Sequence, residues 1–447
     1  MRILLVSNGY IHSTYGGGQV YFLNLVDALL NSGLEIFIAS HSEHHSQDDS
    51  YKGVPVIYFN RKGPETLHFQ IDRILKKVMP DLVHAHSYKE VVTQACAKNV
   101  IPCIVTAHHG GLVCPAGGLL NQKDDICRIA ASSENCLPCV LRNVRSGKYW
   151  YPMIRKIPLS VRLRQGNMLN RIPFIPFITP IFQSSISIIS SMQRWKSIAE
   201  NTTFFVAPSY AIKESMIRNG ADPLKIRVIP HGIPMKENAG NDMRIAGETG
   251  ERKNGKVKFY YAGRICHAKG IHLLLEAYSG IEQSLAELHI IGAPEVKGEI
   301  RYHDRLRKKY RKLSGLFWHG KVSSGSLPGI ISQYDVLVHP AIYLEVFGLT
   351  ISEALSLEKP VISTRCGGAE MQLRDGENGL LIEPNDAAAL GEAMKRVIEN
   401  PDMFDPFKGR LKQQVIPIEK HASDLISLYG EVFSGLPEGP DRQHNQA

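Results

Sequence analysis

HPAIYLEVFGLTISEALSLEKP, residues 339 to 360, is the stretch from which the rest of this chain can be read. The apolar run Val336 to Val338 just before it is a short strand, the middle is a loop, and the spacing from Leu349 onward is that of a helix. Glu345 falls on the loop, with Phe347 close behind it, and Gly348 lets the backbone pass close to a ligand. The amides of Gly348, Leu349 and Thr350 open the helix, where unpaired N–H groups and the positive dipole end suit a diphosphate. Glu353, one turn in, can reach back to accept hydrogen bonds from hydroxyls such as those of a ribose. Taken alone, the two glutamates fit an ordinary α/β crossover with a solvated acidic helix start just as well.

A second stretch, KFYYAGRICHAKGIHLLLEAY (258–278), changes that balance. Its strand, Val257 to Ala262, ends at Gly263, and Lys269-Gly270 opens a helix carrying Leu273, Leu274 and Leu275. Arg264 and Lys269 therefore sit at the carboxyl end of a strand, where doubly wound sheets bind ligands, and two cations there suit a diphosphate leaving group.

Together the two stretches resemble the nucleotide-sugar site of the retaining glycosyltransferases of family 4. The resemblance extends to PHGIP (230–234), HGKVS (319–323), TRCGG (364–368) and DGENGLLIEPND (375–386), and is strongest from about residue 203 to 400. It implies the GT-B fold, two doubly wound Rossmann-like domains facing each other across a cleft. By the same resemblance, Arg264 and Lys269 neutralise the departing diphosphate, Glu345 orients sugar hydroxyls and Glu353 holds the ribose. Phe347, Gly348, Leu349 and Thr350 form the donor loop, and Lys321 and Val322 meet the base through backbone groups. Two positions depart from the family pattern. His231 stands where Asn is common, and Met371 where a glutamate is usual, with Glu370 one residue early; either Glu370 substitutes or the loop is less tightly fixed.

The first domain, expected over 1–235, begins with the apolar strand ILLVSN. That run is too short for a signal peptide and meets glycine and polar residues instead of a cleavage site. No run of 18 apolar residues occurs, so the expectation is a cytoplasmic protein, at most peripheral on the inner face of a membrane. Gly16, Gly17 and Gly18 precede a helix. They do not match the dinucleotide fingerprint and are either a tight turn or a close approach to a ligand. The family resemblance makes Gly17 and Gly18 donor-facing. It also picks out His108, six residues before a Cys-Pro pair, as a positioning contact to a donor-sugar hydroxyl, with His109 in place of a common aspartate.

Cys114, Cys127, Cys136 and Cys139 follow in a loop expected over 108–140. In a cytoplasmic chain such a set favours free thiols or a structural metal, zinc or an iron–sulfur cluster, over disulfides. Cys96, Cys103, Cys266 and Cys366 read as single buried residues.

The net charge of +9 is local. Val140 to Ala199 holds ten Lys or Arg and no Asp or Glu, which leaves 42 basic against 43 acidic residues elsewhere. This insertion, expected over 141–199, interleaves its charges with Tyr149, Trp150, Tyr151, Phe174 and Phe177 and is broken by Pro173, Pro176 and Pro180. It fits an anionic membrane surface, or an insertion packed on the first domain with its charges in solvent; a nucleic-acid groove fits it less well. A linker is expected over 236–256, a nucleotide-sugar domain over 257–400, a helical segment near the hinge over 401–434 and a disordered tail over 435–447.

The function implied is transfer of a sugar, with retention, from a nucleoside-diphosphate sugar to a glycan or lipid-linked acceptor. No Asp-x-Asp occurs, so no divalent metal is expected in catalysis. A nucleotide-sugar epimerase of the same fold, and a non-enzymatic metal-stabilised scaffold or nucleic-acid-binding protein, remain open beside it.

Overall fold

The computed structural model describes the chain except residues 13–15, 44–48, 63–64, 145–146, 170–178, 236–254, 324 and 435–447. The tail and all but the last two residues of the expected linker lie outside the described residues, as do Pro173, Phe174, Pro176 and Phe177.

The first sheet holds β1 (Arg2–Asn8), β2 (Glu35–His41), β3 (Asp49–Tyr51), β4 (Val54–Phe59), β5 (Leu82–Ala85), β6 (Cys103–Thr106), β7 (Phe204–Ala207) and β8 (Ile226–Val228). Their order is β3-β4-β2-β1-β5-β6-β7-β8, parallel except for β3 against β4. β5 and β6 are buried at every position, which fits strands covered on both faces. The direction of winding reverses between β1 and β5, and open α/β sheets bind ligands beyond the strand ends at such a point. The connecting helices are α1 (Gly16–Leu29), α2 (Leu67–Val78), α3 (Lys89–Lys98), α4 (Leu137–Arg142), α5 (Gly147–Ile154), α6 (Leu159–Leu169), α7 (Thr179–Asn201) and α8 (Tyr210–Arg218).

The second sheet is wholly parallel: β9 (Val257–Ala262), β10 (Ala286–Ile291), β11 (Leu316–Gly320), β12 (Val336–His339), β13 (Val361–Thr364) and β14 (Gly379–Ile382), in the order β11-β10-β9-β12-β13-β14. Around it lie α9 (Ile271–Ser279), α10 (Lys297–Lys309), α11 (Leu327–Ile331), α12 (Leu349–Ser356) and α13 (Ala387–Glu399). Local sequence sets several of these ends. Asp386 caps α13 by accepting from the Ala389 amide, and Ser209 caps α8 in the same way.

The last helix, α14 (Ile418–Ser434), returns to the first domain. Its Ala422, Leu425, Leu428, Tyr429 and Val432 are buried in the core formed by α1 and one face of the first sheet. Where the chain crosses between domains its two passes pair: Ile233 donates its amide to Ile416 O at 3.0 Å, and Ile418 donates to Ile233 O at 2.8 Å.

The basic insertion is α4 to α7 with their connections. Leu137, Leu141, Ile154, Ile181 and Ile188 give it a small core of its own. Its charges are not all solvated. Arg162 is 1% exposed, ion-paired with Glu134 of the cysteine loop and 3.5 Å from Ser185 Oγ, which ties the insertion to that loop. Tyr149, Met153 and Met168 remain more than half exposed. Among the described residues no helix is long and apolar enough to cross a membrane.

Candidate functional site

Two strand-end loops of the second sheet pack back to back. After β9 a short turn, His267–Lys269, ends at Gly270 in the left-handed region (φ 69°), where a Cβ would lie 1.8 Å from Pro340 O. Ile342 donates its amide to Ala268 O at 2.9 Å. Only glycine allows this approach, and the approach sets Lys269 Nζ 2.5 Å from Glu345 Oε2. Burial by itself would lower the Lys269 pKa and raise that of Glu345. The pairing reverses both, so the amine is held above its usual value and the carboxyl, with His339 also beside it, well below.

From Glu345 the chain runs to Gly348, which has φ 86° and stands at the N-cap of α12 without a side-chain cap. The first amides of α12 are thus free of side-chain capping. Glu353 lies on the same helix. Its Oε2 is buried without a hydrogen-bond partner among the described residues, as is the hydroxyl of Tyr260 on β9. Burial pushes the Glu353 carboxyl up to about 7. Buried polar groups are nearly always hydrogen-bonded, so an orphaned carboxyl and hydroxyl mark a place where a partner is missing.

The departure at Met371 has a structural answer. Glu370 Oε2 accepts the Gly367 amide at 2.5 Å, so Glu370 fixes this loop. Gly368 lies against Phe347, and a Cβ there would come within 2.4 Å of the Phe347 Cα. Gln372 completes the support. It is buried, donates to Phe347 O at 2.5 Å, and accepts from Ser352 Oγ at 2.6 Å. Sequence reasoning missed Gln372, because a glutamine in a loop carries no signal until its partners are known.

Other residues singled out from sequence are less directly gathered. Arg264 is half-exposed and shared between Glu295 (3.3 Å) and Glu299 (3.6 Å), so a ligand would have to draw it from those carboxylates. Lys321 and Val322 follow the edge strand β11, and Val322 packs on the apolar layer beneath α12.

The first domain faces this loop. Gly17 lies in the first turn of α1, its Cβ position 3.8 Å from Leu349 Cδ1 across the cleft, and Gly18 lines a cavity of about 940 Å³. His108, just after β6, has its Nε2 2.8 Å from His86 Nδ1. Its ring stacks on His231 at 5.5 Å, and His231 in turn meets Phe347 edge-on at 5.8 Å. His231 thus carries ring contacts from the first domain to the donor loop. Burial first, then the nearby Lys89 charge, hold His108 well below the usual histidine value, so it is neutral and suited to hydrogen bonding. Behind it, Tyr21 OH lies 2.6 Å from His421 Nε2 and His84 Nδ1 lies 2.7 Å from Tyr429 OH, two links that fasten α14 to this domain.

The four loop cysteines are free thiols, each partly buried. Burial, and then the other three sulfurs, push the Cys136 thiol up to about 11. The thiols fit a soft metal in type and number. Among the described residues, however, no three side chains of ligand type stand at metal-binding spacing. The same loop reaches the second domain through Asp124, which lies 3.1 Å from His267 there and 2.6 Å from Arg142 of α4.

The comparisons with known proteins agree with this architecture. Residues 15–128 match the model for Glycosyltransferase Family 4, and residues 245–414 match that for Glycosyl transferases group 1. An uncharacterized glycosyltransferase of Methanocaldococcus jannaschii is 23% identical over 257 residues, which cover 57% of this chain and 64% of the relative. The O-antigen chain mannosyltransferase C of Escherichia coli is 27% identical over 234 residues, 52% of this chain and 60% of the relative. The match thus spans less than two thirds of either relative's length. Among solved structures, sucrose-phosphate synthase from Thermosynechococcus elongatus superposes with a TM-score of 0.68 at 18% identity, covering 97% of this chain and all of the other. Anabaena HepE in complex with UDP and glucose gives 0.61 at 15% identity, covering 96% and 99%. At such identities the structural likeness establishes the fold. The expected fold class is therefore found, and the two family models, one matched in each domain, support a family 4 glycosyltransferase of GT-B fold.

Proposed function

We propose that this protein transfers a sugar from a nucleoside-diphosphate sugar to a glycan or lipid-linked acceptor with retention of anomeric configuration. The observation that carries the reading is the orphaned Glu353 carboxyl, buried on the helix whose uncapped N-terminus adjoins the Lys269–Glu345 pair. Ribose hydroxyls donating to Glu353 would satisfy it, and the diphosphate would take the amides of Leu349 and Thr350. Anabaena HepE, similar in fold, has a structure in complex with UDP-glucose, which favours a uridine nucleotide as the first donor to test.

In this reading the bond from the donor C1 to the diphosphate oxygen breaks and its electron pair leaves with the diphosphate. The acceptor hydroxyl oxygen bonds C1 on the same face, and its proton passes to the leaving phosphate. Lys269, with Arg264 once drawn from its carboxylates, would stabilise the charge that grows on the diphosphate in the transition state, in place of a divalent metal. Glu345 and His108 orient sugar hydroxyls from the two sides of the cleft. The exposed Tyr149, Trp150 and Met153, close in sequence to Arg155 and Lys156, favour docking on an anionic membrane surface where lipid-linked acceptors reside. The four loop thiols, by type and number, favour a structural zinc or iron–sulfur site that would form only if the loop tightens around the ion.

Saturation-transfer NMR with UDP-, GDP- and ADP-sugars tests the central claim. Selective binding of one donor, lost in Glu353→Ala and Lys269→Ala, supports it. Absence of binding to any donor by folded protein overturns it. Turnover of the donor without an acceptor would favour the epimerase.

A further inference from the structure

The cavity of about 940 Å³ in the first domain lies at the carboxyl ends of β1, β5 and β6, where the direction of winding reverses. Its lining carries a charge imbalance. Arg194 is paired with Glu90 at 3.1 Å, whereas Arg61 and Lys89 make no ion pair among the described residues. Lys89 is 8% exposed, and the hydrogen bond its amine makes is to a neutral group, His86 O at 2.6 Å. A buried cation without a counter-ion is costly, and burial pulls this amine down to about 8.

Two independent features face the same space. The helix α3 begins at Lys89 behind Tyr88, which is left-handed (φ 52°) and places no side chain on the first amides. Tyr88, Lys89, Glu90 and Val91 all line the cavity, so the positive end of α3 opens onto it. His86, 4% exposed, also lines it, and its Nε2 has no hydrogen-bond partner among the described residues. When His108 donates to His86 Nδ1, the orphaned Nε2 carries the proton and becomes a donor. A buried ammonium, an orphaned ring nitrogen and an uncapped helix start converge on one space, and an oxyanion would satisfy all three.

We propose that this cavity binds the acceptor through an anionic group, a phosphate ester or a carboxylate, held by Lys89, His86 and the N-terminus of α3. This deepens the transferase reading and rests on it for the word acceptor. The anion site itself stands on the residues just named.

Binding of glucose 1-phosphate, methyl β-D-glucuronide and the neutral methyl β-D-glucoside to the full chain is measured by ligand-observed NMR, in the native protein, Lys89→Met, Arg61→Gln and Lys269→Met. The expected result is saturable binding of the phosphate or the carboxylate but not the neutral sugar. Lys89→Met weakens it by about tenfold or more, as removal of a buried charged partner does. Arg61→Gln, at the exposed rim, weakens it less, and Lys269→Met, less stable and therefore assayed only where it is shown to be folded, leaves it intact. Which probe binds distinguishes a phosphorylated from a carboxylated acceptor. Equal binding of the neutral sugar, binding lost in Lys269→Met but kept in Lys89→Met, or no binding at all overturns the proposal. UDP binding, measured in parallel, reports on the transferase reading separately. If UDP fails to bind while the anion binds at Lys89, the donor assignment falls and the anion site stands.

Discussion

Lys269 and Glu345, 76 residues apart in sequence, meet at 2.5 Å because Gly270 lets the turn after β9 rest directly on Pro340. Both side chains are largely buried, at 21% and 11% exposure, so each is the other's main electrostatic compensation. Removing one partner of such a pair leaves an uncompensated charge. Lys269→Met should therefore destabilise the protein by about 3 kcal/mol or more, whereas the double variant Lys269→Met with Glu345→Gln recovers much of that loss. Urea unfolding of the single and double variants checks this. A single variant as stable as the native chain would mean that the pair is not desolvated as described.

Glu353 makes stability depend on pH in an unusual direction. Its carboxyl is held at about 7 in the folded protein, against an ordinary value of 4.5. Between those values the folded state binds a proton that the unfolded state has released, so this residue's contribution falls as pH rises from about 4.5 to about 7. Glu353→Gln should flatten that part of the stability profile. If donor hydroxyls bind the ionised carboxylate, donor binding near pH 6 should release a proton. Calorimetry in two buffers of different ionisation enthalpy detects it, and equal heats in the two buffers would contradict the assignment.

Vesicle co-sedimentation addresses the basic insertion. Binding to vesicles containing anionic lipid should weaken by about 1 kcal/mol for each of Arg155→Gln and Lys156→Gln and fall with added salt. Trp150→Ser, which removes a half-exposed ring, should weaken it further without altering the salt slope. Binding to neutral vesicles as strong as to anionic ones is the contrary result.

For the cysteine loop, protein prepared under reducing conditions should take up one zinc ion or one iron–sulfur cluster per chain by elemental analysis, and Cys136→Ser should abolish uptake. Loading should also protect Cys114, Cys127 and Cys139 from alkylation. Four reactive thiols in metal-saturated protein would leave the loop as a set of free thiols.

The strands and helix starts of this chain follow from its sequence, because hydrophobic period and glycine placement act over a few neighbours, whereas the GT-B architecture was implied by the family resemblance of its motifs. Those local rules placed Val257–Ala262 as a strand and Gly348 at a helix start. The donor loop was legible for the same reason, since its residues lie within two short stretches. Tertiary structure alone decided what those residues touch. It paired Arg264 with Glu295 and Glu299, gave Glu370 the Gly367 amide, buried Arg162 against Glu134, and returned α14 to the first domain through His421 and Tyr429. Among the described residues it also left Lys89 without a counter-ion and His86 Nε2 without a hydrogen-bond partner, both facing one cavity. Whether a charge is compensated depends on groups brought from distant parts of the chain, and no local pattern records which groups those are.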